Sequence, residues 1–250
     1  MRRPAGAGGP HEAGAVPDDA RSARSGWADV AEVRPGSGDS RLTRQVPDLS
    51  LYLVIGPDDT LGRPVQEVVM AAVEGGVTLV QLRWKQHSTR DLVTVGRELL
   101  GELRSAGVPL IVNDRVDAAM AIGADGVHVG QEDMRVEDVR RLVGDDMLVG
   151  LSITGMQDVA GLDRMLVDYA GVGPVFAPRS KADASPPLGL QGTAEVVSAL
   201  SVPSVAIGGI TLANAGQVMG TGVNGLSVVS AISGAVDPRN AAAELRAAIG

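Results

Sequence analysis

The chain has 250 residues, 33 of them glycine, no cysteine, and a formal net charge of −8. Without cysteine there is no disulfide, no thiolate zinc site and no thiol nucleophile, which fits a reducing, cytoplasmic setting. The acidic balance argues against nucleic acid as a general partner, so an anionic ligand needs a local positive pocket or a metal.

Residues 1 to 46 are rich in Gly, Ala, Pro, Ser and Arg, with Trp27 the only aromatic side chain. They lack apolar periodicity and read as a low-complexity, disordered extension ahead of a domain spanning 47–250. Pro, Gly and Ala follow Met1-Arg2-Arg3, so no secretory signal is expected. From Leu51 onward strands and helices alternate. The apolar run Leu51 to Ile55 is a strand, Pro64 to Glu74 a helix closed by Gly75-Gly76, Val77 to Arg83 a strand, and Thr89 to Ser105 an amphipathic helix with Ser88, Thr89 and Asp91 as capping candidates. Leu110 to Val112 and Gly126 to Val129 are strands around a helix from Val116 to Ile122. Helices follow at Arg135–Leu142, Met156–Leu166, Ala194–Leu200, Leu212–Met219 and Pro238–Ile249. The remaining strands are Met147–Ser152, Tyr169–Val175, Ser204–Ile207 and Gly225–Val229.

Such alternation predicts an α/β fold, a single (β/α)8 TIM barrel, with an open doubly wound sheet as the alternative. The uncharged run from Val196 to Val236 is broken by Pro203, Asn214, Asn224 and several glycines. It reads as strands around a short helix, and no membrane partner is expected.

In a barrel the carboxyl ends of the strands share one pocket. The second strand runs out as Gln81-Leu82-Arg83-Trp84-Lys85, so Gln81, Arg83 and Lys85 share a face and Trp84 points away. A guanidinium beside an ammonium suits a diphosphate, although a strand simply entering solvent is the plainer alternative. Only two lysines occur, Lys85 and Lys181, and both fall at strand ends. Asp114 and Asp133 follow neighbouring strands. Two carboxylates facing one pocket favour a cation between them, and Mg2+ accepts such a pair while leaving positions for phosphate oxygens; two unrelated surface acids remain the alternative. Gly208-Gly209 and Val229-Ser230 end the last two strands, where backbone amides commonly cradle phosphate. His128 is either a pocket acid–base or a hydrogen-bonded filler.

Gln-Leu-Arg-x-Lys, Asn-Asp-Arg, His-Val-Gly-Gln-Glu-Asp, Gly-x-Gly-Pro-x-Phe with a later Ser-Lys, Ala-Ile-Gly-Gly-Ile and Val-Val-Ser-Ala-Ile occur in order from about Leu51 to the C-terminus. In this order and spacing they resemble the thiamine phosphate synthase family. The resemblance implies a transferase of thiamine biosynthesis that joins 4-amino-5-hydroxymethyl-2-methylpyrimidine diphosphate to a thiazole phosphate and releases diphosphate. It further implies that Gln81, Arg83, Lys85, Asn113, Ser152 and Lys181 hold the pyrimidine diphosphate, with Arg83, Lys85, Lys181 and Ser152 as the catalytic group. Asp114 and Asp133 would ligate Mg2+, and Ser180, Gly209, Val229 and Ser230 would meet the thiazole phosphate. Where the family carries Thr-x-Thr-Lys this chain has Pro178-Arg179-Ser180-Lys181; Pro178 offers neither hydroxyl nor N–H, and Arg179 is expected to compensate in part. The expected partners are these two small molecules, and a homo-oligomer is compatible with the sequence. A thiazole tautomerase-like barrel and a non-catalytic phosphate-ligand-binding barrel are the alternatives.

Overall fold

The computed structural model describes residues 46–177 and 186–250. Eight described strands are β1 (Leu51–Ile55), β2 (Leu79–Leu82), β3 (Leu110–Asn113), β4 (Gly126–Val129), β5 (Leu148–Ile153), β6 (Tyr169–Val172), β7 (Ser204–Ile207) and β8 (Gly225–Val228). They form a closed parallel barrel in chain order, with β1 paired to both β2 and β8. The described helices are α1 (Val65–Glu74), α2 (Thr89–Ala106), α3 (Val116–Ile122), α4 (Val136–Val143), α5 (Met156–Val159), α6 (Gly189–Ala199), α7 (Ala215–Met219), α8 (Ser230–Ser233) and α9 (Pro238–Ile249). The Val196–Val236 run is therefore the end of α6 followed by β7, α7, β8 and α8. No helix among the described residues is long and apolar enough to cross a membrane.

The two-residue period of the strands sorts side chains between two cores. Leu51, Leu53 and Ile55 of β1, with Val80 and Leu82 of β2, join the large apolar cluster shared with the helices. Tyr52, Leu79, Ile111, Tyr169 and Val205 form a second cluster, the one left for the barrel interior. Val46 packs against it. Each fully buried Leu or Val in these clusters contributes about 1.5–3 kcal/mol. A one-residue slip of β2 would drive Gln81 into the helix layer, which fixes the register.

Local chemistry explains where the elements depart from the sequence reading. Ser88 caps α2 by accepting from the Asp91 N–H at 3.1 Å. The helix expected over Met156–Leu166 stops after one turn at Val159; Asp158 binds back to Thr154 and Asp163 caps the Met165 N–H, which starts a fresh turn. α7 starts at Ala215 rather than Leu212, because the Asn214 side chain accepts from the Thr211 N–H and donates to Gly209 O, closing a loop instead. α6 starts earlier, at Gly189, where Thr193 donates to the Gly189 carbonyl. A shallow hollow of about 520 Å³, lined among others by Pro47, Arg104, Asp125 and Asp146, lies by the loops that enter β3, β4 and β5. It is thus at the amino ends of the strands, the end of such barrels that carries stability rather than chemistry.

Candidate active site

The carboxyl ends of β2, β3 and β4 bring Lys85 together with the sequence-predicted acids Asp114 and Asp133. Lys85, just past β2, donates from Nζ to Asp114 Oδ2 at 2.5 Å. Asp114 follows β3 with a left-handed backbone, φ 60°, one of two non-glycine residues of positive φ among those described. Its N–H donates to the His128 carbonyl at 2.8 Å, anchoring the turn to β4. Asp133 reaches back from beyond β4, its Oδ2 accepting from the Gly130 N–H at 2.8 Å. Burial lifts the pKa of Asp114; Lys85 opposes that shift, and the Asp133 carboxylate within hydrogen-bonding reach adds to it. Two acids that share a site in this way favour a cation between them.

No group of three or more His, Cys, Asp or Glu side chains capable of holding a metal exists among the described residues. Two carboxylates without a soft donor fit magnesium, which completes its octahedron with water and phosphate oxygens, and do not fit a structural zinc. Arg83 lies close to Asp59, a half-buried acid of the turn after β1. Burial raises the Asp59 pKa, while its bond from the Gly56 N–H and the charge of Arg83 lower it. Trp84 packs against the outer core, as alternation implies, with its ring beside His87.

Gln81, His128 and Ser152 point inward and are linked. Gln81 Nε2 donates to the Tyr52 hydroxyl at 2.6 Å, and Tyr52 and Tyr169 share a bond of 2.8 Å. The Tyr169 hydroxyl meets His128 Nδ1 at 3.1 Å, and His128 Nε2 meets Ser152 Oγ at 3.0 Å. Burial pushes the His128 pKa down to about 4, against a smaller opposing effect of Asp133, so the ring is a neutral, hydrogen-bonded filler at neutral pH. Room for it comes from glycine. A Cβ at Gly150 would lie 2.3 Å from Tyr169 Cζ and 2.4 Å from His128 Nδ1, and one at Gly171 would lie 3.1 Å from His128 Cε1. Gln131 donates to the Ser152 carbonyl at 2.7 Å. Ser227 Oγ, also inside, has no hydrogen-bond partner among the described residues.

Asn113 ends β3, half-buried beside Asp114. Gly209 lies two residues past β7, Val229 follows β8 and Ser230 opens α8, so these three lie across the barrel from β3 and β4. Gly208 and Gly209 have φ of 104° and 65°, and a Cβ on either would come within 2.7 Å of Pro174 or Phe176. Ser180, Lys181, Pro178 and Arg179 lie outside the described residues, as do residues 1–45. The sequence reading missed Tyr52, Tyr169, Gln131 and Asp59. A tyrosine inside each of two otherwise apolar strands was the only available signal for the first pair.

A family model for thiamine monophosphate synthase matches residues 51–232. The thiamine-phosphate synthase of Albidiferax ferrireducens is 48% identical over 198 residues, covering 79% of this chain and 90% of that protein. That of Chloroflexus aurantiacus is 47% identical over 204 residues, covering 82% and 94%. A solved structure of a thiamine phosphate pyrophosphorylase from Pyrococcus furiosus superposes with a TM-score of 0.73 at 36% identity, covering 81% of this chain and 96% of that one.

Proposed function

The chain belongs to the thiamine monophosphate synthase family and is a transferase; from that premise we propose that it makes thiamine phosphate by a magnesium-dependent, dissociative substitution. Its substrates are 4-amino-5-hydroxymethyl-2-methylpyrimidine diphosphate and thiazole phosphate. The observation that carries this reading is the grouping of Lys85, Asp114 and Asp133 at adjacent strand ends, with Arg83 directly following β2.

Arg83 supplies a planar fork and Lys85 a point charge for the diphosphate. Lys85 exchanges its bond to Asp114 for one to a phosphate oxygen as the substrate enters. Gln81, Asn113 and Ser152 hold the pyrimidine diphosphate, and Lys181 adds a second ammonium. When bound by Asp114 and Asp133, magnesium supplies Lewis-acid neutralisation of the charge that grows on the leaving diphosphate. The bond from the pyrimidine methylene carbon to the bridging oxygen breaks with its electron pair on oxygen. The thiazole nitrogen lone pair then closes on that carbon. Backbone groups around Gly209, Val229 and Ser230, with Ser180, fix the thiazole phosphate. No protein nucleophile is required, and positioning carries much of the rate.

Incubating the purified chain with both substrates and Mg2+ should give thiamine phosphate and diphosphate in equal amounts. Isomerised thiazole, or binding without turnover, would assign the protein to one of the two alternatives instead. Asp114→Ala and Asp133→Ala should each lower turnover by about 10²–10³-fold, the range of several lost kcal/mol at the transition state. Folded variants that turn over at the parent rate would rule out the metal site.

A further inference from the structure

The hydrogen bonds inside the barrel form one unbroken chain: Gln81 on β2, Tyr52 on β1, Tyr169 on β6, His128 on β4 and Ser152 on β5. The two ends are residues assigned above to the pyrimidine diphosphate, and the three between are buried. Each hydroxyl in the chain has one proton to give, so a choice made at one end runs to the other.

Gln81 presents Nε2 to Tyr52, and the Tyr52 oxygen therefore accepts there. Tyr52 must pass its own proton to Tyr169, since a buried hydroxyl proton without an acceptor is costly. Tyr169 then donates to His128 Nδ1, and the neutral imidazole carries its proton on Nε2, facing Ser152 Oγ. Ser152 accepts from His128 and keeps its hydroxyl proton for the mouth of the barrel. Were an acceptor to stand where Nε2 of Gln81 stands, every link would reverse. The imidazole proton would sit on Nδ1, and Ser152 would spend its proton on Nε2. Only the first direction leaves Ser152 a donor toward an anion.

We propose that Gln81 is a positioning residue for Ser152, fixing the His128 tautomer through the two tyrosines and so holding the Ser152 hydroxyl as a donor to the substrate. The substrate half of this statement rests on the functional reading above; the tautomer half does not.

The test is nitrogen NMR of the full-length protein labelled at its three histidines, with His128 assigned by its absence from His128→Asn. The parent should show His128 protonated on Nε2. Gln81→Glu at pH 8, whose carboxylate only accepts, should move the proton to Nδ1. Adding Tyr52→Phe, which cuts the chain, should return it to Nε2. A parent protonated on Nδ1, or a Gln81→Glu protein still protonated on Nε2, overturns the proposal. Gln81→Met, uncharged and of similar volume, keeps the question decidable if Gln81→Glu does not fold. Its thioether can accept but cannot donate, so it should move part of the His128 proton to Nδ1. A Gln81→Met protein whose His128 proton stays wholly on Nε2 also overturns the proposal. A parent that shows the expected tautomer yet couples no substrates would defeat the functional reading alone.

Discussion

Asp114 holds a left-handed backbone, and burial with the Asp133 carboxylate lifts its pKa despite the Lys85 ammonium. A carboxyl with a raised folded pKa stabilises the fold at pH values below its ordinary one and loses that contribution as pH rises through the folded value. At neutral pH the metal-free protein therefore carries both the backbone and the charge cost at one residue, the kind of strain that collects at functional sites. Asp114→Gly should raise the metal-free melting temperature, with relief of left-handed strain alone worth about 1 kcal/mol or roughly 2–4 °C. It should also lower turnover by about the same 10²–10³-fold as Asp114→Ala and abolish the added stability that Mg2+ gives the parent. Melting curves with and without Mg2+ check this, and a fall in the metal-free value contradicts it. His128 behaves with the opposite sign. The unfolded chain takes up a proton there near pH 6.5 and the folded one only near pH 4, so the fold is favoured above pH 6.5 and loses stability as pH falls between those values. The loss should approach about 3 kcal/mol, and urea unfolding of the parent against His128→Asn from pH 7 to 4 should show this extra slope, the difference between the two curves, only in the parent.

At the scale of elements, β5 and β6 are shaped by what they omit. Gly150 and Gly171 leave the volume that the Tyr169 and His128 rings occupy, and Gly150→Ala would drive a methyl group onto both rings. Such overpacking should cost about 1–3 kcal/mol, and denaturant midpoints would show it. A neutral Gly150→Ala would mean that the rings can part. The turn into β5 has a second tie, where buried Arg140 of α4 donates to the carbonyls of Gly144, Met147 and Leu166 and pairs with Asp168 at 2.7 Å. Asp168→Ala removes one acceptor of that buried guanidinium and of the Val149 N–H and should destabilise by about 1.5–3 kcal/mol, measured in the same way. Elements with strong local signals were legible from the sequence. α9 matches its expected bounds because Asp237 caps it, Pro238 opens it and its apolar period is clean. The Met156–Leu166 segment shows the failure mode: its apolar spacing is helical, but the side chains of Asp158 and Asp163 offer the backbone other partners, and spacing carries no record of that choice.

For the molecule as a whole, closure decides what meets what. The strand-end residues Lys85, Asp114 and Asp133 could be grouped from sequence because adjacent strands in a barrel are adjacent in the chain. The Tyr52–Tyr169 bond could not, because 117 residues separate the partners and only the closed sheet faces them toward each other. The loop holding Ser180 and Lys181 falls outside the described residues, so its part of the site rests on the sequence resemblance. Residues 1–45 have a low-complexity Gly, Ala, Pro, Ser and Arg composition that is poor in the apolar side chains a core needs. A protein beginning at Val46 is expected to melt and turn over as the full chain does; a lower melting temperature would assign the preceding residues a share in the fold.

Because the two rings at the centre occupy space that a pair of missing methyl groups vacates, neither side of that fit can drift by itself. A lineage that gained a side chain at position 150 would first have to shrink Tyr169 or His128, and one that lost a ring would leave a hole for a larger residue to fill. Substitution at positions 128, 150, 169 and 171 should therefore travel as a set, an interdependence written into the middle of the barrel and not at its rim.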